Sequence, residues 1–411
     1  MEQRKNDRRN MLVVVILGVL GQIAWGLENS WFNTYTYDAI TTETWPIALM
    51  NGASAVVATL TTFLVGIYSD RVGKRKPFIR YGYVIWGFFT AAILLGEWMP
   101  NKVAAALTVV VIDCVMTFFG STAYDACYNA WTTDISDETN RGKITAVVQI
   151  APLVSGVILA GAGAIIDMFG YHVFFLSIGA IVSLVGLIVG GWITEGKDLR
   201  PDTSRTGNPF EDIFAAFGRD SRRDNRELFR ILTSFCILAT GFQVSYAYEM
   251  IYANNYLGVS KTFATLLTAG ALPFIVAASF IGGRLVDTGK GRTGLLVAPC
   301  LLFVGSILHG ISKNIVVVIV ARVFLYVGYF LMTVTATALF KNLTPEDSRG
   351  RFEGVRMVFV VLLPMIIGPQ IGSFLIEQYD IAPILYYVTG IVGVFSYVPL
   401  VSQNNKREVV E

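Results

Sequence analysis

Apolar stretches of about 20 residues dominate this sequence, and each is long enough to cross the hydrocarbon core of a bilayer as a helix. Hydrophobic residues make up 54% of the 411 positions and charged residues only 15%, against about 25% in a typical soluble domain. The pattern predicts an all-α integral membrane protein with twelve spans. The predicted spans are 11–37, 45–68, 77–97, 103–130, 143–166, 171–194, 229–256, 262–283, 294–311, 315–340, 352–376 and 382–402.

The Lys and Arg residues predict how these spans are oriented, because such residues collect in cytoplasmic connections. Of the 32, 28 lie before the first span, after the last, or in every second connection, whereas the other connections carry only Lys102, Lys261 and Lys313. We therefore expect a multi-pass protein of the plasma or inner membrane with both termini in the cytoplasm. The first apolar stretch lacks a small-residue cleavage site, so it is predicted to be a span and not a removed signal peptide.

An internal repeat divides the chain into two halves. Two loop motifs recur in the same order at offsets of 217 and 208 residues. Residues of the first span recur 221 positions later, as Gln22, Glu28, Asn33 and Tyr35 followed by Gln243, Glu249, Asn254 and Tyr256. The repeat predicts six-helix bundles at 1–194 and 229–411. The connection 195–228 is predicted either to carry a short amphipathic helix from Asn208 or to be a solvated linker.

The connection after the second span reads Gly-Ile-Tyr-Ser-Asp-Arg-Val-Gly-Lys-Arg-Lys from Gly66 to Lys76, and this segment resembles the loop signature of the major facilitator superfamily. Together with Gly26-Leu-Glu28 and Tyr124-Asp125, it is more narrowly similar to the glycoside–pentoside–hexuronide:cation symporters, which include melibiose and sucrose carriers. The resemblance implies the major facilitator fold, with two pseudo-symmetric six-helix bundles. It also implies a sugar site in which Glu28 and Asp125 bind hydroxyl groups.

Two departures from the symporter pattern bear on the coupling ion and the substrate. Where sodium-coupled members carry two acidic residues in span 2, this sequence has Ala58 and Thr62. Where melibiose-type carriers have a sugar-binding arginine in span 5, it has Gln149. Proton coupling is therefore expected in place of sodium coupling, with a substrate unlike melibiose.

Ionisable residues inside spans are the most informative candidates, since each costs roughly 2.5–3.5 kcal/mol at a span centre. There are five, on the spans that line the central cavity in the implied fold: Glu28, Asp113, Asp125, Glu249 and Arg322. Glu28, Asp125 and Glu249 are predicted to bind substrate. Glu28, Asp113, Asp125 and Arg322 are predicted to take part in ion coupling. The alternative for each residue is a structural polar contact.

Asp113 and Arg322 occupy nearly equivalent repeat positions, 209 residues apart, with opposite charges. They are predicted either to form a salt bridge that opens and closes during transport, or each to pair permanently within its own half.

Amide and aromatic side chains near the acidic residues complete the predicted substrate site, because sugar rings stack on aromatic faces while amides bind hydroxyl groups. These further candidates are Gln22, Trp25, Asn33, Tyr128, Gln149, Gln243, Tyr246 and Asn254. For the aromatic residues, the alternative is packing or a position at the membrane interface.

Charged residues beside helix ends are predicted to act as conformational latches, or gating residues. They are Asp70, Arg71, Arg141, Asp287 and Arg349. The alternative for the basic residues is that they only set the topology.

These features predict a secondary active transporter that takes up a sugar or glycoside together with a cation by alternating access, working as a monomer. Carriage of another solute, such as a lysolipid-like amphiphile or an exported drug, is the first alternative, and a non-transporting sensor is the second. No catalytic or nucleotide-binding motif is present, so an enzyme is not expected. No cofactor, metal or nucleic acid is expected either, and the partners are the substrate, the cation and membrane lipid.

Overall fold

The computed structural model describes residues 2–137, 140–196, 199–201, 217–344 and 349–401. Within them, twelve helices are long and apolar enough to cross a membrane, as the sequence predicts, and no strand is present. The helices are α1 (Arg8–Ile40), α2 (Trp45–Val72), α3 (Lys76–Trp98), α4 (Lys102–Asp134), α5 (Arg141–Leu159), α6 (Ala162–Gly191), α7 (Arg226–Asn255), α8 (Lys261–Asp287), α9 (Gly291–Ile311), α10 (Ile315–Leu343), α11 (Phe352–Tyr379) and α12 (Ile384–Val401). The helix predicted from Asn208 lies outside the described residues.

The boundary between α5 and α6 is the one that departs most from the sequence prediction. The fifth helix ends at Leu159, not at residue 166, and the sixth begins at Ala162. The predicted break instead coincides with a kink inside α6 at Gly170, where φ is 79°. Glycine adopts this backbone conformation at little cost because it has no Cβ. The helix therefore kinks at Gly170 and continues on both sides of it.

By their internal contacts the residues form two units. The first comprises Met1–Gly207 and Ser260–Thr265, and the second comprises Asn208–Val259 and Leu266–Glu411. Whether the chain folds as the predicted domains 1–194 and 229–411 stays a prediction.

The two units pair their helices by the same scheme. In the first, α1 packs along α5, α2 along α4, and α3 along α6. In the second, α7 packs along α11, α8 along α10, and α9 along α12. Each unit therefore joins its first helix to its fifth, its second to its fourth and its third to its sixth, so the pairing recurs between the two units.

Close packing in the first unit depends on small residues where helices cross. A Cβ placed on Gly87 of α3 would lie 2.4 Å from the carbonyl oxygen of Gly179 in α6, so only glycine allows this approach. Large aromatic side chains fill the remaining core, and Trp31, Trp86 and Trp131 are each 1% exposed or less. These buried rings lie on α1, α3 and α4 and form part of the core between these helices.

Aromatic residues also organise the second unit. The Phe242 ring stacks on Tyr329 with centroids 4.0 Å apart and on Tyr246 with centroids 5.0 Å apart. Near the start of α7, Phe229 joins a buried cluster with Phe340 and Phe352. These contacts fix α7 against α10 and α11.

Candidate functional site

The acidic candidates lie where their helices are irregular. Glu28 begins a π-helical segment, Glu28–Phe32, within α1. Asp125 lies in a second such segment, Ser121–Tyr128, within α4. The α7 helix is interrupted between Tyr246 and Glu249. π-Helical turns occur frequently at functional sites, because the wider turn re-aims side chains and frees backbone groups.

In the first unit, two buried carboxyl groups form what we call the carboxyl pair, Glu28 and Asp113. Glu28 is 8% exposed and Asp113 is 1% exposed. The Thr117 hydroxyl donates to Glu28 Oε1 over 3.0 Å, and the Ser54 hydroxyl donates to Asp113 Oδ2. Glu28 Oε2 and Asp113 Oδ1 have no hydrogen-bond partner in the part of the chain that the structure describes. Each acid is thus held by one hydroxyl and keeps one buried oxygen available.

The carboxyl pair has no counter-cation among the described residues. Asp113 and the half-buried Asp125 both lie close enough to Glu28 to interact with it electrostatically. No described Lys, Arg or His forms an ion pair with any of these three acids. Buried like charges at short range repel strongly, so the arrangement is stable only when a proton or another cation reduces the negative charge.

The other predicted ligands of the first unit differ in their surroundings. The Gln22 amide donates to the Tyr124 hydroxyl over 3.0 Å. Asn33 Oδ1 accepts from Asn51 Nδ2 over 3.0 Å. The Tyr128 hydroxyl donates to the Val14 carbonyl over 2.7 Å, which ties α4 to α1.

Two further candidates of this unit contrast in exposure. The Trp25 ring packs against Trp86 with centroids 4.8 Å apart, and its indole N–H has no partner among the described residues. Gln149 is exposed on α5, and its predicted role in substrate binding stays a prediction.

In the second unit, Glu249 and Arg322 are the centre of a hydrogen-bonded network, which we call the Glu249–Arg322 network. Arg322 Nη1 lies 2.8 Å from Glu249 Oε1, and the Tyr326 hydroxyl donates to Glu249 Oε2 over 2.5 Å. Thr268 Oγ1 accepts from Arg322 Nη1 over 2.8 Å and donates to Glu249 Oε1 over 3.1 Å. The Tyr386 hydroxyl bonds to the same guanidinium.

Asp113 and Arg322 each have a partner within their own unit. Arg322 pairs with Glu249, and Asp113 accepts a hydrogen bond from the Ser54 hydroxyl. Both interpretations of the two residues, a salt bridge that opens and closes during transport and permanent pairing within each half, stay predictions.

The remaining candidates of the second unit surround this network. Tyr246 and Phe242 line a cavity of about 10 Å³ beside Glu249 and Arg322, roughly the space of one water molecule. Gln243 is half-buried on α7. The amide nitrogen and the amide oxygen of the Asn254 side chain are both buried without a hydrogen-bond partner among the described residues.

His309 belongs to the same region but was not among the predicted residues. It is fully buried, and its ring stacks on Tyr386 with centroids 3.7 Å apart. Neither ring nitrogen has a hydrogen-bond partner among the described residues. A lone histidine in an apolar span carries no spacing pattern, so sequence reasoning had no signal for it.

The predicted gating residues fall into two groups. Asp70 belongs to a cluster centred on Arg75, whose guanidinium also bonds Asp134 Oδ2 over 3.1 Å. Arg71, Arg141 and Asp287 are exposed at helix ends, and the Arg349 side chain lies outside the described residues.

Arg75 lies in the loop signature from Gly66 to Lys76, but neither it nor Glu195 was among the predicted gating residues. The Glu195 carboxylate accepts the backbone N–H groups of Arg75 and Lys76 over 2.9–3.1 Å. Burial lowers the pKa of Arg75, but hydrogen bonds to Asp134 and Asp70 outweigh it and raise the pKa above its usual value. The Arg75 guanidinium therefore stays charged and holds the ends of α2, α3 and α4 together.

Twelve apolar helices in two units of matching helix pairing, with ionisable groups buried in both, define a multi-pass integral membrane protein. The family model of the Major Facilitator Superfamily matches residues 14–293 and 231–409. The chain belongs to this superfamily.

Relatives and solved structures agree with this assignment. Sugar efflux transporter A from Dickeya chrysanthemi is 24% identical over 279 residues, which cover 66% of either chain. The chain spans 66% or less of the length of each curated relative it matches. A D-xylose–proton symporter aligns with a TM-score of 0.73 at 14% identity, covering 96% of this chain and 97% of that one. The nucleoside transporter NupG has the same TM-score at 12% identity, with 95% and 98% covered.

Proposed function

We propose that this protein is a secondary active transporter that moves a sugar or glycoside by alternating access, coupled to protons. The carboxyl pair of Glu28 and Asp113 carries the proposal, because both acids are buried without a counter-cation among the described residues. A site of this kind binds and releases a cation as its access to water changes during the transport cycle. A coupled carrier requires this exchange.

The proton is favoured over sodium by the chemistry around the pair. The oxygens that contact the two acids belong to the hydroxyls of Thr117 and Ser54. On α2, the positions where sodium-coupled symporters carry two acidic residues are Ala58 and Thr62, so this stretch supplies no carboxylate for a sodium ion. A buried carboxyl group that takes up a proton needs no further ligands, whereas a sodium ion needs several oxygens around it.

A sugar is the substrate that best suits the residue types near the acids. Carboxyl and amide groups of Glu28, Asp125, Gln22 and Asn33 can bind hydroxyls, and the Trp25 indole offers an aromatic face with an unpartnered N–H. The names of the Dickeya relative and the xylose symporter support this class. The narrower proposal, membership of the glycoside–pentoside–hexuronide symporters, rests on the loop from Gly66 and the Gly26 and Tyr124 motifs.

In the second unit, Glu249, Gln243, Tyr246 and Asn254 are proposed to contribute to substrate binding, with Arg322 holding the Glu249 carboxylate in place through their ion pair. The Arg75 cluster and the exposed charges at helix ends are proposed to act as latches. We propose a monomer in the plasma or inner membrane with cytoplasmic termini. Uptake is the proposed direction, while export is the direction in the name of the Dickeya relative.

Transport by purified protein in liposomes tests the proposal. A panel of labelled sugars is offered under an imposed proton gradient and, separately, under a sodium gradient of equal size. Proton-driven accumulation of one sugar is the expected result. Accumulation driven only by sodium would refute proton coupling. Export of preloaded sugar, driven by protons that move inward, would show that the protein exports its substrate and does not take it up. Failure of every sugar, with protein that melts cooperatively, would refute the sugar class.

A further inference from the structure

A second cavity of this unit lies away from the buried network, in a crevice of about 350 Å³ among the ends of α7, α9, α10 and α12. Its volume falls in the range of small-ligand pockets, about 300–1,000 Å³. The lining includes the first turns of α7 and α9 and the last turns of α10 and α12. The crevice therefore opens at the end of these helices, which the sequence predicts to be cytoplasmic.

Two guanidinium groups, from Arg230 and Arg292, line this crevice. Neither forms an ion pair within the described part of the chain, and Arg292 makes one long hydrogen bond, 3.5 Å, to the Leu400 carbonyl. Glu227 and Asn342 complete the polar part of the lining. The crevice thus carries an excess of one positive charge, with a carboxylate and an amide beside it that can bind hydroxyl groups.

The rest of the lining is apolar. Ile231 and Leu295 are almost fully buried in its wall, and Leu339 contributes from α10. On the neighbouring surface of α12, Val398 is 63% exposed and Val401 is 59% exposed, as expected of side chains that face acyl chains. An inorganic anion would use the guanidinium groups but would leave these apolar walls unoccupied.

We propose that this crevice binds an anionic glycerophospholipid whose headgroup carries hydroxyl groups, as phosphatidylglycerol does. The phosphodiester lies between Arg230 and Arg292, where charge-assisted hydrogen bonds are strongest. The headgroup hydroxyls donate to Glu227 and accept from Asn342, and the glycerol and upper acyl chain contact the apolar walls. The position fits, because helix ends lie at the depth of lipid phosphates.

Native mass spectrometry of the purified full chain tests this site. The probes are water-soluble dihexanoylphosphatidylglycerol, dihexanoylphosphatidylcholine and inorganic phosphate, each titrated separately. The test variant is Arg230→Gln with Arg292→Gln. Its matched control is Arg284→Gln with Lys341→Gln, which removes the same charge from exposed positions at the ends of α8 and α10 that do not line the crevice.

We expect the wild type and the control to bind one phosphatidylglycerol roughly tenfold more tightly than phosphatidylcholine, and the test variant to lose this preference. Replacing Arg292 by Lys instead of Gln keeps the positive charge and should restore part of the preference for phosphatidylglycerol. This partial recovery would show that misfolding of the double variant does not explain its loss. Equal binding by the test and control variants would overturn the proposal. So would competition by inorganic phosphate at the same concentration as the lipid, which would identify a free-anion site. The readout is binding, so it stands apart from any transport assay.

Discussion

The Arg322 guanidinium and the Glu249 carboxylate form an ion pair in the interior of the second unit, with Nη1 and Oε1 2.8 Å apart and the two side chains 2% and 8% exposed, respectively. Tyr326 and Thr268 bond the same carboxylate, so each of its oxygens has a partner. A pair buried this completely stabilises the fold only while both members are present, because either charge alone is costly to bury.

Removing the arginine tests this dependence. Arg322→Met should lower the free energy of unfolding by about 3–5 kcal/mol, because Glu249 then remains buried without its cation. Arg322→Met with Glu249→Met should recover most of the loss. Denaturant unfolding of the purified protein in detergent measures both. A double variant as unstable as the single one would show that shape, and not charge, accounts for the cost.

The Tyr326 hydroxyl contributes separately to the same network. Tyr326→Phe should cost about 1–3 kcal/mol of unfolding free energy, because Glu249 Oε2 loses its buried donor. Tyr379→Phe, at a position 62% exposed on α11, is the control and should change stability by less than about 0.5 kcal/mol. Equal effects of the two substitutions would contradict the importance of this hydrogen bond.

His309 offers the opposite expectation. His309→Phe should be neutral or stabilising by up to about 1 kcal/mol, because it replaces two unpartnered ring nitrogens and keeps the stacking on Tyr386. His309→Ala should destabilise by about 2–5 kcal/mol, since it leaves a cavity. Thermal melting compares the two. A large loss with phenylalanine would reveal a partner for the imidazole.

Replacing Arg75 should lower the free energy of unfolding, and the part that the arginine contributes should not vary with pH. Arg75→Gln should cost about 1–3 kcal/mol, and Arg75→Lys less, because lysine keeps the charge but lacks the planar fork. Exposed Lys74→Gln is the control.

Because the folded state raises the pKa of Arg75, its stabilisation is complete below the pKa of the unfolded state and is lost only as pH rises through the higher pKa of the folded state. Unfolding at pH 6 and pH 9 should therefore show the same arginine contribution. If the contribution of Arg75 to the free energy of unfolding decreased from pH 6 to pH 9, the guanidinium would not be the stabilising group.

Glu28→Gln tests coupling at the carboxyl pair. A gradient of one pH unit supports about tenfold accumulation per coupled proton, and the variant should fall to about onefold because its amide carries no exchangeable charge. Exchange of labelled for unlabelled sugar should persist, since the amide oxygen can still accept from Thr117. Glu43→Gln, at an exposed acid, is the control. Accumulation that survives Glu28→Gln would move coupling to another residue.

Much of the fold was predictable from the sequence. Apolar stretches predicted twelve spans, and the described part of the chain contains twelve such helices. The repeat of Glu28 at Glu249 predicted corresponding acids in both halves, and both are buried. Their partners were not predictable, because Thr117 and Tyr326 are unremarkable residues of other helices. Likewise, nothing local to Arg75 indicates that Glu195 would bind its backbone.

The sequence by itself determined the membrane class, the number of spans and the acids placed within them, because the hydrocarbon core admits only long apolar segments and makes every buried charge conspicuous. Only the tertiary structure decided which groups meet. Arg322 pairs with Glu249, whereas no basic side chain among the described residues pairs with Glu28 or Asp113. The crevice beside Arg230 also forms only in the folded chain. These outcomes depend on how far each helix rotates and where it bends, and hydropathy carries no information about either.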